Sequence, residues 1–419
     1  MKKTLLTMLM TSSVLFLTAC GSDNDNSITL APSNDVPVNN IQDPVVGIPI
    51  AYIDKDEAVN NLLNSVSSQS LMTYKMLGVD NKEVMATALV FVPNKPTPAN
   101  GWPIVAWAHG TTGVADQCAP SQQGLKGTQD LLEKLLTAGY VVVAPDYEGL
   151  GEPGGKESHP FLNLKSEAYS ITDAVVATRN YLDKQGKKTA RQWVTVGHSQ
   201  GGHAALGAAQ YASRAQLDYK GTVAIAPASN LSAILQGGEN AVKDQPANIQ
   251  IPVLASLDTF TALIVAGMQG HQISVSYAEV FKPDTAKLAP IAETECSGPL
   301  GVGGVLAKGM TAYVSIPENL GSLKGYGRNQ DNFMTLPVIS NFLTNDSQPL
   351  LTKVSTPVII YQGEKDATVP KAATDLLKAS AEAKGTKIEY KTDPEWTHTT
   401  AYTANFDNFV ANVGTLFTQ

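Results

Sequence analysis

Cysteine and histidine are scarce, with three and six residues respectively in a chain of 419. The six histidines are scattered and no H-E-x-x-H is present, which leaves no ligand cluster for a catalytic metal. No G-x-G-x-x-G follows the first strand-like run, so a dinucleotide site is not expected, nor is any other cofactor. Positive charge is also in short supply: 30 Lys and Arg against 38 Asp and Glu give a net charge of −8. With no basic footprint, nucleic acid is excluded as a partner. Internal repeats are missing, which argues against a propeller. What is present is 43% hydrophobic and 16% charged residues, the balance of a globular protein with a large core.

The first residues read as a targeting segment. Lys2 and Lys3 precede an apolar run from Leu5 to Leu17 that is too short to span a membrane comfortably. Leu17-Thr18-Ala19-Cys20 resembles a bacterial lipobox, which implies a signal peptide over 1–19 and a lipid-modified Cys20 that anchors the protein to a membrane. Gly21, where Asp would favour the inner membrane, points to the outer membrane of a bacterial envelope. Residues 20–45, rich in Asn, Asp, Ser and Pro, are expected to form a disordered tether, with the folded domain over 46–419. Two cysteines then remain, Cys118 and Cys296, and an even pair in an oxidising compartment predicts a disulfide.

Hydrophobic periodicity predicts a helix over Asp54–Val66 and a hairpin of Leu71–Met76 and Glu83–Val92 around Gly78-Val79-Asp80-Asn81. From Pro103 strands and helices alternate: strands at Pro103–Ala108, Tyr140–Ala144, Trp193–Val196 and Gly221–Ala226, helices at Thr128–Ala138 and Ser166–Leu182. That rhythm predicts an α/β fold with a mostly parallel, doubly wound sheet. It stops near Ser229 and resumes at Thr356, so about 230–355 should be an inserted, mainly helical cap. Within it, Thr259–Met268 reads as helix and Gly298–Gly304 as turn. Phe260, Leu263, Ile264, Val265 and Met268 are assigned either to an acyl-binding surface or to the cap's own core. A strand at Val358–Tyr361, a helix at Lys371–Ala383, a strand at Lys387–Lys391 and a helix at Asn405–Leu416 complete the chain.

The chemistry centres on Gly197-His198-Ser199-Gln200-Gly201, a G-x-S-x-G between a strand and a small-residue helix. The pattern describes a nucleophile elbow, with Ser199 on a turn too sharp for side chains two residues to either side. A serine hydroxyl needs a base, and the base needs a carboxylate to orient it. In this topology they follow in the order acid, then histidine. His398 lies in the loop after the last strand, whereas His271 falls in the cap. Asp366, after the strand ending at Tyr361, is the preferred acid over Glu364 and Asp393. An oxyanion hole would use the N–H of Gln200 and one from His109-Gly110-Thr111-Thr112-Gly113, with Thr111 and Thr112 both open. Asp146-Tyr147-Glu148-Gly149-Leu150-Gly151 is read first as purely structural, the alternative being that its glycines wall the pocket and Asp146 supports that loop.

The oxyanion-loop and elbow motifs, together with Asp116–Ser121, Asp146–Gly151 and Gly363-Glu364-Lys365-Asp366, resemble the secretory lipase family of α/β-hydrolases. The resemblance runs from about Ala51 to the C-terminus and is weakest in the cap. It implies an α/β-hydrolase fold and a serine esterase or lipase with Ser199, Asp366 and His398 as its triad. The implied substrate is an acyl ester or lipid, with acyl transfer to acceptors other than water also known in the family. A cysteine after the oxyanion loop is disulfide-bonded in some members, which suits Cys118. The rival readings are a serine peptidase or amidase on the same fold and a binding protein with a vestigial site. Oligomeric state is not legible. If the cysteine pairing holds, a thiol titration of denatured, unreduced protein will find no free thiol at Cys118 or Cys296.

Overall fold

The apolar runs assemble into one nine-stranded sheet of order β1-β2-β3-β5-β4-β6-β7-β8-β9. These strands are Val45–Ala51 (β1), Val66–Leu77 (β2), Glu83–Pro93 (β3), Trp102–Ala108 (β4), Val141–Pro145 (β5), Thr189–His198 (β6), Asp218–Ile225 (β7), Val358–Gly363 (β8) and Ile388–Asp393 (β9). The architecture comes from a computed structural model that describes residues 36–62, 64–151, 155 and 157–419. The signal segment 1–19, Cys20 and most of the expected tether lie outside the described residues.

β1, β2, β3 and β5 pair antiparallel, and every pairing from β5 through β4 to β9 is parallel. The inner parallel strands β4, β5 and β8 are buried on both faces, as expected of a sheet with helices on either side. One face packs against helix Leu164–Lys184 and the elbow helix Gln200–Gln210. The other packs against Gln129–Thr137 and the C-terminal helix Phe406–Thr418. This is the doubly wound α/β arrangement expected from the alternating pattern.

Between β7 and β8 the described elements are helical. They include Leu231–Val242, Ala247–Gly270 and Val302–Val314. Leu254, Leu257, Leu263, Val265, Leu306 and Met310 form a core there that continues into Phe161, Leu162 and Val369 above the strand ends. This helical insert is therefore seated on the sheet through apolar contact.

Several boundaries differ from the sequence reading. The helix expected over Asp54–Val66 is only Glu57–Leu62, because Val66 is taken by the ladder opposite Pro93. The turn expected over Gly298–Gly304 gives way at Val302, and Gly303 and Gly304 lie in a helical first turn. Glycine is suited to this place because a Cβ on Gly304 would strike the Pro299 carbonyl. A short helix, His398–Thr403, starts where only a turn was expected, with Thr397 and Thr400 forming a reciprocal cap.

The tether expected over 20–45 ends early. Arg214 lies buried against Asp173 in a bidentate pair of 2.8 and 2.7 Å, and also donates to the Pro37 carbonyl at 2.8 Å. Asn39 donates to the same carboxylate at 2.8 Å. A polar segment is thus fixed by a polar anchor, a device that hydrophobic patterning does not report. Removing one member of a buried pair leaves an uncompensated charge. Arg214→Ala is expected to cost about 3–5 kcal/mol in urea denaturation and to expose Pro37–Asn39 to limited proteolysis.

Candidate active site

β6 delivers the chain into the elbow. Ser199 adopts φ 60°, ψ −119°, a region that non-glycine residues avoid. It is held there by its own N–H donating to Ile225 O at 2.8 Å and by Ala228 N–H donating to Ser199 O at 3.2 Å. The flanking glycines are required by close approach: a Cβ on Gly197 would enter the Gly201 carbonyl, and one on Gly201 the Ala108 carbonyl. Gln200 opens the elbow helix, so its N–H is one of the donors with no partner inside the helix, at the positive end of the dipole.

Asp366 and His398, distant in sequence, meet through Nδ1 and Oδ2 at 2.8 Å. The other carboxylate oxygen accepts from the N–H groups of Thr368 and Val369 at 2.9 and 2.8 Å. Gln362, itself held by Thr374, donates to Oδ2 at 3.2 Å. The two competing acids are occupied elsewhere. Glu364 is exposed, and Asp393 Oδ1 caps its own turn by accepting from Glu395 N–H at 2.7 Å. His271 contacts Ser158 and Asp80 instead. Ser199 and His398 line one cavity of 1030 Å³, along with His109, Thr111 and Thr112.

The loop carrying Thr111 and Thr112 is tied to the helical insert. Thr112 O accepts from Ser297 N–H at 2.8 Å and Thr111 O from the Ser297 hydroxyl at 3.3 Å. Next to this contact Cys118 and Cys296 are joined in a disulfide with a Cα–Cα distance of 5.4 Å. Of the residues read as acyl surface or cap core, Leu263, Val265 and Met268 are buried in the insert's core. Ile264 belongs to that core and also lines a cavity, as does the partly buried Phe260.

Sequence reasoning missed the polar groups that surround these residues. The Gln200 amide donates to Glu167 Oε1 and to His159 Nε2, both at 2.8 Å. Glu167 Oε2 meets His203 Nδ1 at 2.6 Å. Burial pushes the His159 imidazole down to about 3, so it is neutral, donating from Nδ1 to Glu148 O while accepting from Gln200. His198, likewise pushed down to about 3 by burial, donates from Nε2 to His398 O at 3.0 Å and stacks on Tyr402. The only signal for either was a polar residue type inside a motif. Among the described residues, no group of three or more His, Cys, Asp or Glu is placed to hold a metal.

Comparison with known proteins places these features in context. A family model described as "Alpha/beta hydrolase family" matches residues 107–403. A putative hydrolase from Legionella pneumophila superposes with a TM-score of 0.68 at 18% identity, covering 89% of this chain and 98% of that one. Candida antarctica lipase A in its closed state gives 0.65 at 17% identity, covering 90% and 82%. A ligand-bound form of the rice cell wall degrading esterase LipA from Xanthomonas oryzae gives 0.62 at 21% identity, covering 89% and 97%. At these identities the likeness is one of fold. No curated protein matches the chain.

Asp146 lies beneath the Thr111 loop, fully buried, accepting from Thr87 Oγ1 at 2.6 Å and from Ser121 N–H at 2.9 Å. Burial pushes its carboxyl up to about 6 in spite of these bonds. A protonated Oδ2 has a ready outlet, because Thr87 Oγ1 can turn its own proton to Leu150 O at 3.3 Å. A raised carboxyl pKa means that the folded state holds its proton more tightly than the unfolded chain does. The group's contribution is therefore fully present at low pH and is lost as pH rises from the usual carboxyl value to about 6. Asp146→Asn, which mimics the protonated form, should gain stability relative to the parent over that interval, by up to about 3 kcal/mol. Urea midpoints between pH 4 and 8 measure it; parallel curves would show that Asp146 does not titrate there.

Proposed function

The chain belongs to the alpha/beta hydrolase family, and on that premise we propose that it is a serine carboxylic ester hydrolase working through an acyl-enzyme on Ser199. One observation carries the reading: His398 is oriented by Asp366 at 2.8 Å and opens into the same cavity as the strained Ser199. A lipase and an esterase among the proteins of similar fold lend support.

The steps follow from the geometry. Asp366 accepts the His398 Nδ1 proton, so Nε2 is left as the basic nitrogen facing the cavity. As Ser199 Oγ bonds to the ester carbonyl carbon, its proton passes to Nε2. The negative charge that forms on the carbonyl oxygen is met by the Gln200 N–H and by an N–H of Thr111 or Thr112. The tetrahedral adduct collapses with cleavage of the carbon–alkoxy bond, and His398 gives its proton to the leaving alcohol. Water, deprotonated by His398, then attacks the acyl-serine, and the carboxylic acid leaves as Ser199 recovers its proton. The same reading places the protein in the bacterial envelope, held by a lipid on Cys20, a proposal supported by Leu17-Thr18-Ala19-Cys20.

Ser199→Ala protein is expected to lose at least about 10⁴-fold of nitrophenyl ester turnover without loss of folding. An aminoacyl-anilide assayed alongside tests the peptidase alternative. Anilide cleavage without ester turnover would replace the proposal, and ester turnover that survives in the alanine variant would remove Ser199 from the mechanism.

A further inference from the structure

Two cavities meet at Ser199, and they are unequal. The larger, of 1030 Å³, has His398 and Thr112 in its wall but not Gln200. The smaller, of 40 Å³, has Gln200 in its wall but not His398. Ser199, Thr111 and Phe260 border both. Thr368 also borders both, and the rest of the small cavity is apolar and closely packed: Phe161, Leu231, Ile234, Leu235 and Val369 are all nearly inaccessible to solvent.

In ester hydrolysis the two halves of the substrate are told apart by where the proton goes. His398 must reach the alkoxy oxygen as the carbon–oxygen bond breaks, so the alcohol lies on the His398 side. The carbonyl oxygen points to Gln200 N–H and the Thr111 loop, and the acyl carbon chain leaves the carbonyl in the remaining direction. Resting on the ester hydrolase reading above, we propose that the small cavity binds the acyl group and the large one the alcohol. The substrate class is then an ester of a short acyl group with a bulky alcohol.

The magnitudes support the division. On the same measure the small cavity has 40 Å³ against 1030 Å³ for the large one. Leu235 and Ile234 come from the helix Leu231–Val242, and Ile264 from Ala247–Gly270, so lengthening the acyl group means separating two helices packed into one core. Interiors packed to this degree resist extra methylenes. The large cavity has no such limit. Ser256 and Lys308 line it with donors suited to a polar or acidic alcohol. Deacylation follows the same plan, because water replaces the alcohol on the His398 side while the acyl group stays in its pocket.

The test is a pair of ester series on the purified protein. In the first, the acyl group runs from acetyl to dodecanoyl on nitrophenol. In the second, acetate is held constant while the alcohol grows from methanol through phenol to a glycoside. The expected result is a fall in kcat/KM of at least tenfold between butanoyl and octanoyl, with no comparable fall along the alcohol series. Leu235→Ala should raise the octanoyl-to-acetyl ratio at least fivefold by extending the pocket. The parent series decides the matter even if this variant does not fold. A flat acyl profile, or an optimum at octanoyl or beyond, would overturn the assignment of the cavities while leaving the ester hydrolase reading intact. No turnover of any ester by folded protein would remove both.

Discussion

The backbone of Ser199 is the constraint on which the rest of the site depends. Holding a serine at φ 60°, ψ −119° costs on the order of 1–3 kcal/mol, and nothing local relieves it. The strain is tolerated because β6 and the elbow helix are locked together. Gly197 and Gly201 permit backbone contact that no side chain would allow, and the Ser199 N–H and C=O are both taken by the β7 end of the sheet. The fold therefore supplies a rigid frame first and a reactive hydroxyl second. That hydroxyl stands at a helix N-terminus, where an N–H without an intrahelical partner faces the same space.

Under the proposed mechanism a rigid elbow is of use only if the Thr111–Thr112 segment is equally fixed, and here the helical insert contributes. The Thr111–Thr112 segment is not braced by the sheet alone. Ser297 closes two hydrogen bonds onto its carbonyls, and the Cys118–Cys296 bond pins the insert to the chain just beyond it. The insert that forms the cavity walls and the loop that would receive the developing charge are thereby one mechanical unit. In the chain-entropy view a cross-link closing so long a loop contributes about 5 kcal/mol to stability. Its placement serves geometry as well.

The central residues were legible because each obeys a local rule. Ser199 lies in a motif whose glycines are steric necessities, and His398 follows the last strand. Asp366 required a choice among three carboxylates, which the sequence could rank but not separate, since the difference lies in Gln362 and in two backbone N–H groups around it. The polar supports were out of reach for a different reason. Gln200, Glu167 and His203 come together from two helices, and His198 reaches His398 across 200 residues. No periodicity marks such contacts. β1 was overlooked because it is an edge strand with Ile48 and Ile50 exposed, so the alternation of a half-buried strand is inverted there.

The distribution of the six histidines is itself an argument about mechanism. In three of them, His109, His159 and His198, burial pushes the imidazole down to about 4, 3 and 3. At neutral pH these rings are uncharged and serve as shaped hydrogen-bonding plates. His109 and His159 stack on either side of Tyr147, and His198 packs beside His398 with ring centroids 4.6 Å apart. On the proposed mechanism, a cation at His198 would repel the imidazolium that His398 would become, at a separation where Coulomb energies amount to several kcal/mol outside bulk water. Keeping His198 neutral removes that penalty while its Nε2–H still fixes the backbone of the base. On the proposed mechanism, the burial that keeps His198 uncharged would thus favour His398 as the base.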